Sequence, residues 1–301
     1  MVNRRARGKS QRRRLPAAAV AVCAALSVAA CAGGGPPPPD PAARLEAARR
    51  LAAAAGLAEE VIPAGRFSLT AFHRLTRPGA PVRVYVEGDG LAWLSRRRLS
   101  GDPSPVDPVA LRLAAADPAA NVAYLARPCQ FGGVARDTAC RGDRRYWSSH
   151  RHGADVVAAV DAAVDALVRR TRGAGVELAG FSGGGAVAVL VAGRRDDVAA
   201  LRTVAGALDN AMIARLHNVT PLRGSLDPAD SAAAVAAVPQ LHVSGAADAI
   251  VPPVVAEAFI AHQGAAACAA RRVVPGAAHT SGWAASWPDL LTVPLPCAGA
   301  D

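Results

Sequence analysis

Aromatic residues are scarce in this 301-residue chain, at 4% of the total, and long runs of leucine, isoleucine and phenylalanine are missing. The hydrophobic share is nevertheless 51%, mostly alanine and valine, which excludes global disorder. The longest apolar run, residues 15–30, falls short of the roughly 20 residues that a membrane span requires. No cysteine pair has Cys-x-x-Cys spacing, so no zinc site is expected. Acidic residues are absent from the first 30 positions. Of the net charge of +10, seven charges sit on Arg4, Arg5, Arg7, Lys9, Arg12, Arg13 and Arg14, which leaves +3 for residues 31–301. No aromatic residue interleaves that block, so it gives no case for nucleic-acid binding.

What the basic block does is set by its neighbours. It precedes the short apolar run Leu15 to Ala30, the layout of a secretory signal. The junction Val28-Ala29-Ala30-Cys31 resembles the lipobox of bacterial lipoproteins. The resemblance implies cleavage before Cys31, acylation of its sulfur and a lipid anchor in the cell envelope. Ala32 follows in place of the Asp that retains lipoproteins at an inner membrane. Residues 31–41, rich in Gly and Pro, read as a tether, and residues 42–301 as the folded domain. Four cysteines remain in that domain, and an even number in an oxidising compartment suggests two disulfides. Three connectivities are open; proximity favours Cys129–Cys140 and Cys268–Cys297.

The domain alternates strand-like and helix-like segments, which indicates the α/β class. Strands are expected at 67–75, 82–87, 121–126, 176–181, 201–207, 240–244 and 271–274. Helices are expected at 41–57, at 107–115 with Asp107 as N-cap and Pro108 at the first position, at 153–172, and from Ala186 to Val191. Residues 208–239 form an insertion too small for a large lid.

One string concentrates the chemistry. Gly180-Phe181-Ser182-Gly183-Gly184 fits G-x-S-x-G, preceded by an apolar strand and followed by a small-residue helix. A serine on so sharp a turn requires neighbours without bulk at Gly180 and Gly184, and its hydroxyl then projects clear of the sheet. A serine hydroxyl is a weak nucleophile without a base. Among the histidines after Ser182, His279 lies in a loop after the last strand, whereas His242 falls within a strand, His262 in a helix-like stretch and His217 in the insertion. Asp248, in the loop after 240–244, is the favoured acid over Asp209. An oxyanion hole needs two aimed N–H groups. Gly183 supplies one candidate; Asp89, and next Gly88, supply the other, in the loop Glu87-Gly88-Asp89-Gly90. Both acids of that loop must turn away from the site, toward Arg127 or Arg98. Trp147, Trp283 and Trp287 are expected to pack rather than line the site.

With these motifs the chain resembles the α/β-hydrolase superfamily, in particular small bacterial serine hydrolases and esterases. The resemblance spans about Phe67 to Trp287. It implies a mostly parallel central sheet flanked by helices, Ser182 as nucleophile, His279 as base and Asp248 as its orienter, with no metal or cofactor. The expected activity is cleavage of an ester of a small molecule or a lipid-like ester, less readily an amide or thioester, through an acyl-enzyme. The alternatives are a non-catalytic envelope scaffold, or an acyltransferase or peptidase on the same residues.

Overall fold

Two apolar faces of one sheet organise the molecule. A computed structural model describes residues 37–173 and 175–298. The proposed signal segment, the lipidation site Cys31 and the tether up to residue 36 lie outside the described residues. The described residues from 39 onward form one compact unit. It begins with helix α1 (Pro41–Ala54), whose N-cap Asp40 accepts from the Ala43 N–H at 2.8 Å. The last positions assigned to the tether are therefore already structured.

The strands are β1 (Ala58–Ala64), β2 (Phe67–Leu75), β3 (Val82–Val86), the short hairpin β4 (Trp93–Ser95) and β5 (Arg98–Leu99), β6 (Asn121–Leu125), β7 (Val176–Phe181), β8 (Val198–Val204), β9 (Gln240–Gly245) and β10 (Ala269–Val274). The further helices are α2 (Val109–Ala115), α3 (Gly133–Arg136), α4 (Ala154–Arg170), α5 (Gly183–Ala192), α6 (Asn210–His217), α7 (Val254–Gln263) and α8 (Trp283–Leu291). The main sheet has eight strands in the order β1-β2-β6-β3-β7-β8-β9-β10. From β6 to β10 all neighbours are parallel, while β1 and β2 pair antiparallel at one edge. Parallel strands covered on both faces read as continuous apolar runs, as residues 122–125 of β6 do, every one of them buried.

The helices divide between the faces. Val157, Val160, Val164 and Leu167 of α4 pack one face together with α5 and α7. Helices α1, α2 and α8 cover the other, with Trp283 and Trp287 in its core. Both disulfides take the sequence-proximal pairing, Cys129–Cys140 and Cys268–Cys297.

The structure departs from expectation in several places, of which three concern the sheet and its flanking helices. Asp107 does not cap α2: Pro108 is the N-cap, and the Asp107 carboxylate pairs with Arg112 instead. The strand expected at 201–207 runs from Val198 to Val204, because the chain turns at Ala205 with φ of 47°. The edge strand β1 was not expected at all, since it carries exposed Glu59 and half-buried Glu60 and contains Pro63.

Candidate active site

The turn from β7 into α5 fixes the serine. Ser182 has φ 51° and ψ −121°, a region L-residues rarely adopt. It is held there by its N–H to Val204 O at 2.9 Å and by Gly185 and Ala207 N–H groups donating to its carbonyl at 2.9 and 3.0 Å. The turn requires its flanking glycines for close approach. A Cβ on Gly180 would strike the Gly184 carbonyl, and one on Gly184 would strike the carbonyls of Val86 and Glu87.

Two loops bring the partners. Asp248 follows β9 and His279 follows β10, and the loops are tied together by the Ala247 N–H donating to Ala277 O at 2.9 Å. His279 Nδ1 lies 2.9 Å from Asp248 Oδ2, and His279 Nε2 lies 2.9 Å from Ser182 Oγ. Asp248 Oδ1 accepts from the N–H groups of Ile250 and Val251 at 2.8 and 2.9 Å. Burial alone would raise the Asp248 carboxyl, but these hydrogen bonds and that of His279 outweigh it and hold it below the usual range. An ionised Asp248 accepts, so Nδ1 carries the ring proton and Nε2 is left to accept from the serine hydroxyl. The imidazole is fixed further by Trp283 Nε1, which donates to His279 O at 2.8 Å, and by the Phe181 ring at a centroid distance of 5.3 Å. These two aromatic supports were not anticipated from sequence.

The other histidines and the competing acid are placed elsewhere. His242 is fully buried, with Nδ1 2.9 Å from Thr203 Oγ1, and burial lowers it to about 3. Asp209 caps α6 through the Met212 N–H. His262 is exposed on α7. His217 lines the cavity described below, with Nε2 2.7 Å from Ile250 O.

The loop after β3 faces Ser182. The N–H groups of Gly183 and Asp89 donate to no described protein atom. The Gly88 N–H does not share that freedom: it donates to Glu87 Oε1 at 2.8 Å, which withdraws it as an oxyanion donor. The two acids of the loop, both of which line the cavity described below, part ways. Glu87 turns inward and is 1% exposed, accepting also from the Ala110 N–H at 3.4 Å. Burial pushes its carboxyl up to about 7, against the lowering by Gly88 and Ala110. Its Oε2 and the Tyr124 hydroxyl are buried without a hydrogen-bond partner among the described residues.

Asp89 is held by Arg151 Nε at 3.2 Å and Arg127 Nη1 at 3.4 Å, not by Arg98. Burial would raise its carboxyl, yet the two guanidinium groups hold it well below the usual range. His152, fully buried, lies 3.8 Å from Asp89 Oδ1, too far for a hydrogen bond, and burial lowers its ring to about 4. The carboxylate rests against Gly183, where a Cβ would collide with it. Arg127 also donates to the Arg151 carbonyl, which locks the cluster to the backbone. Convergence of Asp89, Arg127 and Arg151 was legible only as a suggestion about Arg127.

Ser182 and His279 open into a cavity of about 670 Å³. Its walls include Leu91, Trp93, Val106, Phe181, Ile213 and Ile250, with Arg151 as a basic group. Trp147, Trp283 and Trp287 are buried and do not line it. Trp93, which drew no notice in the sequence, does. Among the described residues no cluster of His, Cys, Asp and Glu is arranged to hold a metal ion.

No protein-family model matches the chain, and no curated protein is similar to it in sequence. Solved structures are similar in fold. Est1E from Butyrivibrio proteoclasticus is 16% identical with a TM-score of 0.53, covering 77% of this chain and 97% of that one. An alpha-beta serine hydrolase homologue from Coxiella burnetii is 19% identical with a TM-score of 0.52, over 77% and 93%. A puromycin-hydrolyzing peptidase from Mycobacterium tuberculosis is 18% identical with a TM-score of 0.57. This chain spans 37% of that longer protein, and 78% of this chain is covered. The chain has the α/β-hydrolase fold.

Proposed function

We propose that this protein is a serine hydrolase that cleaves an ester through an acyl-enzyme. The observation that carries the reading is the continuous hydrogen-bonded series Ser182–His279–Asp248, opening into a cavity. In the proposed reaction His279 Nε2 takes the Ser182 proton as Oγ attacks the ester carbonyl. Asp248 keeps the ring in that tautomer and stabilises the imidazolium. The Gly183 and Asp89 N–H groups receive the oxyanion. His279 then protonates the leaving alcohol, and water, deprotonated by the same ring, releases the acid. Solved structures of the same fold, which include an α/β serine hydrolase homologue and a puromycin-hydrolyzing peptidase, support a hydrolase. The peptidase also keeps amide cleavage as the second reading.

Anchoring in the cell envelope through Cys31 belongs to the same proposal and is supported by the lipobox-like sequence and the disulfide pairs. A fluorophosphonate probe together with short-chain p-nitrophenyl esters tests the activity. Ser182→Ala is expected to abolish labelling and to lower kcat by about six orders of magnitude. A folded wild-type protein that neither labels nor turns over these esters would leave the scaffold reading in its place.

A further inference from the structure

The rim of the cavity has an unusual surface. Nine large hydrophobic residues are exposed among the described residues, and four of them, Trp93, Val106, Val219 and Ile250, line this one cavity. They are 45–55% exposed, so they stand at its open side rather than in its depth. Leu94 and Leu216, adjacent in the chain to rim elements, are 38% and 50% exposed. Scattered single exposed apolar residues need no explanation, but a ring of them around one opening does.

Charge selects what covers the ring. Trp93 opens the hairpin β4–β5, in which Ser95 pairs with Arg98. The turn at its tip is therefore Arg96-Arg97, and Arg98 follows. All three arginines are exposed, and none forms an ion pair with a described residue. Arg215, beside Leu216 on α6, is exposed and likewise without an acidic partner among the described residues. The acid on this rim, Asp107, is paired with Arg112. An apolar ring with tryptophan at its edge and unpaired cations beside it is matched by a surface that offers acyl chains below anionic headgroups.

We propose that the cavity rim is a docking surface for an anionic lipid bilayer, with the β4–β5 hairpin seated among the headgroups. The pocket then opens onto the membrane, and its substrate class is an acyl ester of lipid. The substrate class rests on the hydrolase reading, whereas the docking does not.

Tryptophan fluorescence of the full chain tests it. The chain has four tryptophans, and Trp147, Trp283 and Trp287 are at most 3% exposed. Bromine in the acyl chains quenches a tryptophan only on contact, so vesicles of brominated phosphatidylglycerol report Trp93 even where another segment holds the protein on the vesicle. Quenching is expected with these vesicles, and loss of the quenched component in Trp93→Phe. Replacing Arg96, Arg97 and Arg98 together by glutamine is expected to raise the lipid concentration for half-quenching on the order of a hundredfold. Brominated phosphatidylcholine should quench as weakly as that variant.

Absence of Trp93-dependent quenching on protein that sediments with the vesicles overturns the proposal and leaves the rim to a protein partner. Equal quenching by both lipids, unmoved in the triple variant, overturns it as well. Two controls keep the readings apart. Ser182→Ala should quench like wild type, and the triple arginine variant should hydrolyse a soluble p-nitrophenyl ester at the wild-type rate. Quenching without turnover sinks only the hydrolase reading; turnover without quenching sinks only the docking.

Discussion

Replacing Glu87 by glutamine isolates the cost of burying one carboxyl beneath the candidate oxyanion loop. The folded protein holds this carboxyl at about 7 against an ordinary 4.5. Between those values the folded state keeps a proton that the unfolded chain has released, so stability falls as pH rises. Each unit costs about 1.4 kcal/mol, which amounts to roughly 3 kcal/mol across the window. Above it both states are ionised and the penalty stays constant. In Glu87→Gln the new side chain would retain an oxygen for the Gly88 and Ala110 N–H groups and turn its amide toward the Tyr124 hydroxyl. Glu87→Gln is thus expected to match the wild type near pH ~4 and to exceed it by about 3 kcal/mol above pH ~8. Urea denaturation at a series of pH values measures the difference. The acid-side losses from Asp89 and Asp248 are common to both proteins and cancel in it. An identical pH slope in both, or a variant weaker than wild type at alkaline pH, would refute the assignment of a buried, proton-retaining Glu87.

The site makes further demands. Asp248→Asn should fold normally by circular dichroism and lose about four orders of magnitude in kcat, because the ring would no longer be held in the productive tautomer. Gly183→Ala should displace Asp89 and cost about a hundredfold in kcat through the misplaced N–H, with the folded state preserved. Gly184→Ala meets the backbone of Val86 and Glu87 and should fail to give soluble folded protein in an expression and melting assay. Opening Cys268–Cys297 by Cys297→Ser releases a closure spanning 29 residues and should lower stability by about 3–4 kcal/mol in a denaturant titration.

The sharp turn at Ser182, the loop histidine and the loop acid were legible because each is bound to a local pattern: small residues around Ser182, and a strand end before Asp248 and His279. Both disulfides followed from proximity alone. Strand β1 was not legible, since an edge strand with two glutamates and a proline resembles a loop. Helix α8 was missed as well; it holds Pro288, which reads as a breaker. The cap of α2 was misjudged because Asp107 had a nearer use in Arg112. The cluster around Asp89 joins positions 38 and 62 residues away, and no local pattern announces such a meeting. Trp93 sits on a strand exposed along its whole length, with no apolar alternation to mark it.

The backbone at Ser182 bears on how such a protein could change over time. A positive φ at a non-glycine residue costs on the order of 1–3 kcal/mol. Glycine would adopt the same angles without that cost, and it is a single-nucleotide neighbour of serine in some codons. On the proposed function, mutational drift at this position therefore runs toward a more stable and chemically silent protein. A serine retained there works against the stability gradient of its own fold, so a lineage released from the need for a nucleophile would be expected to lose it early.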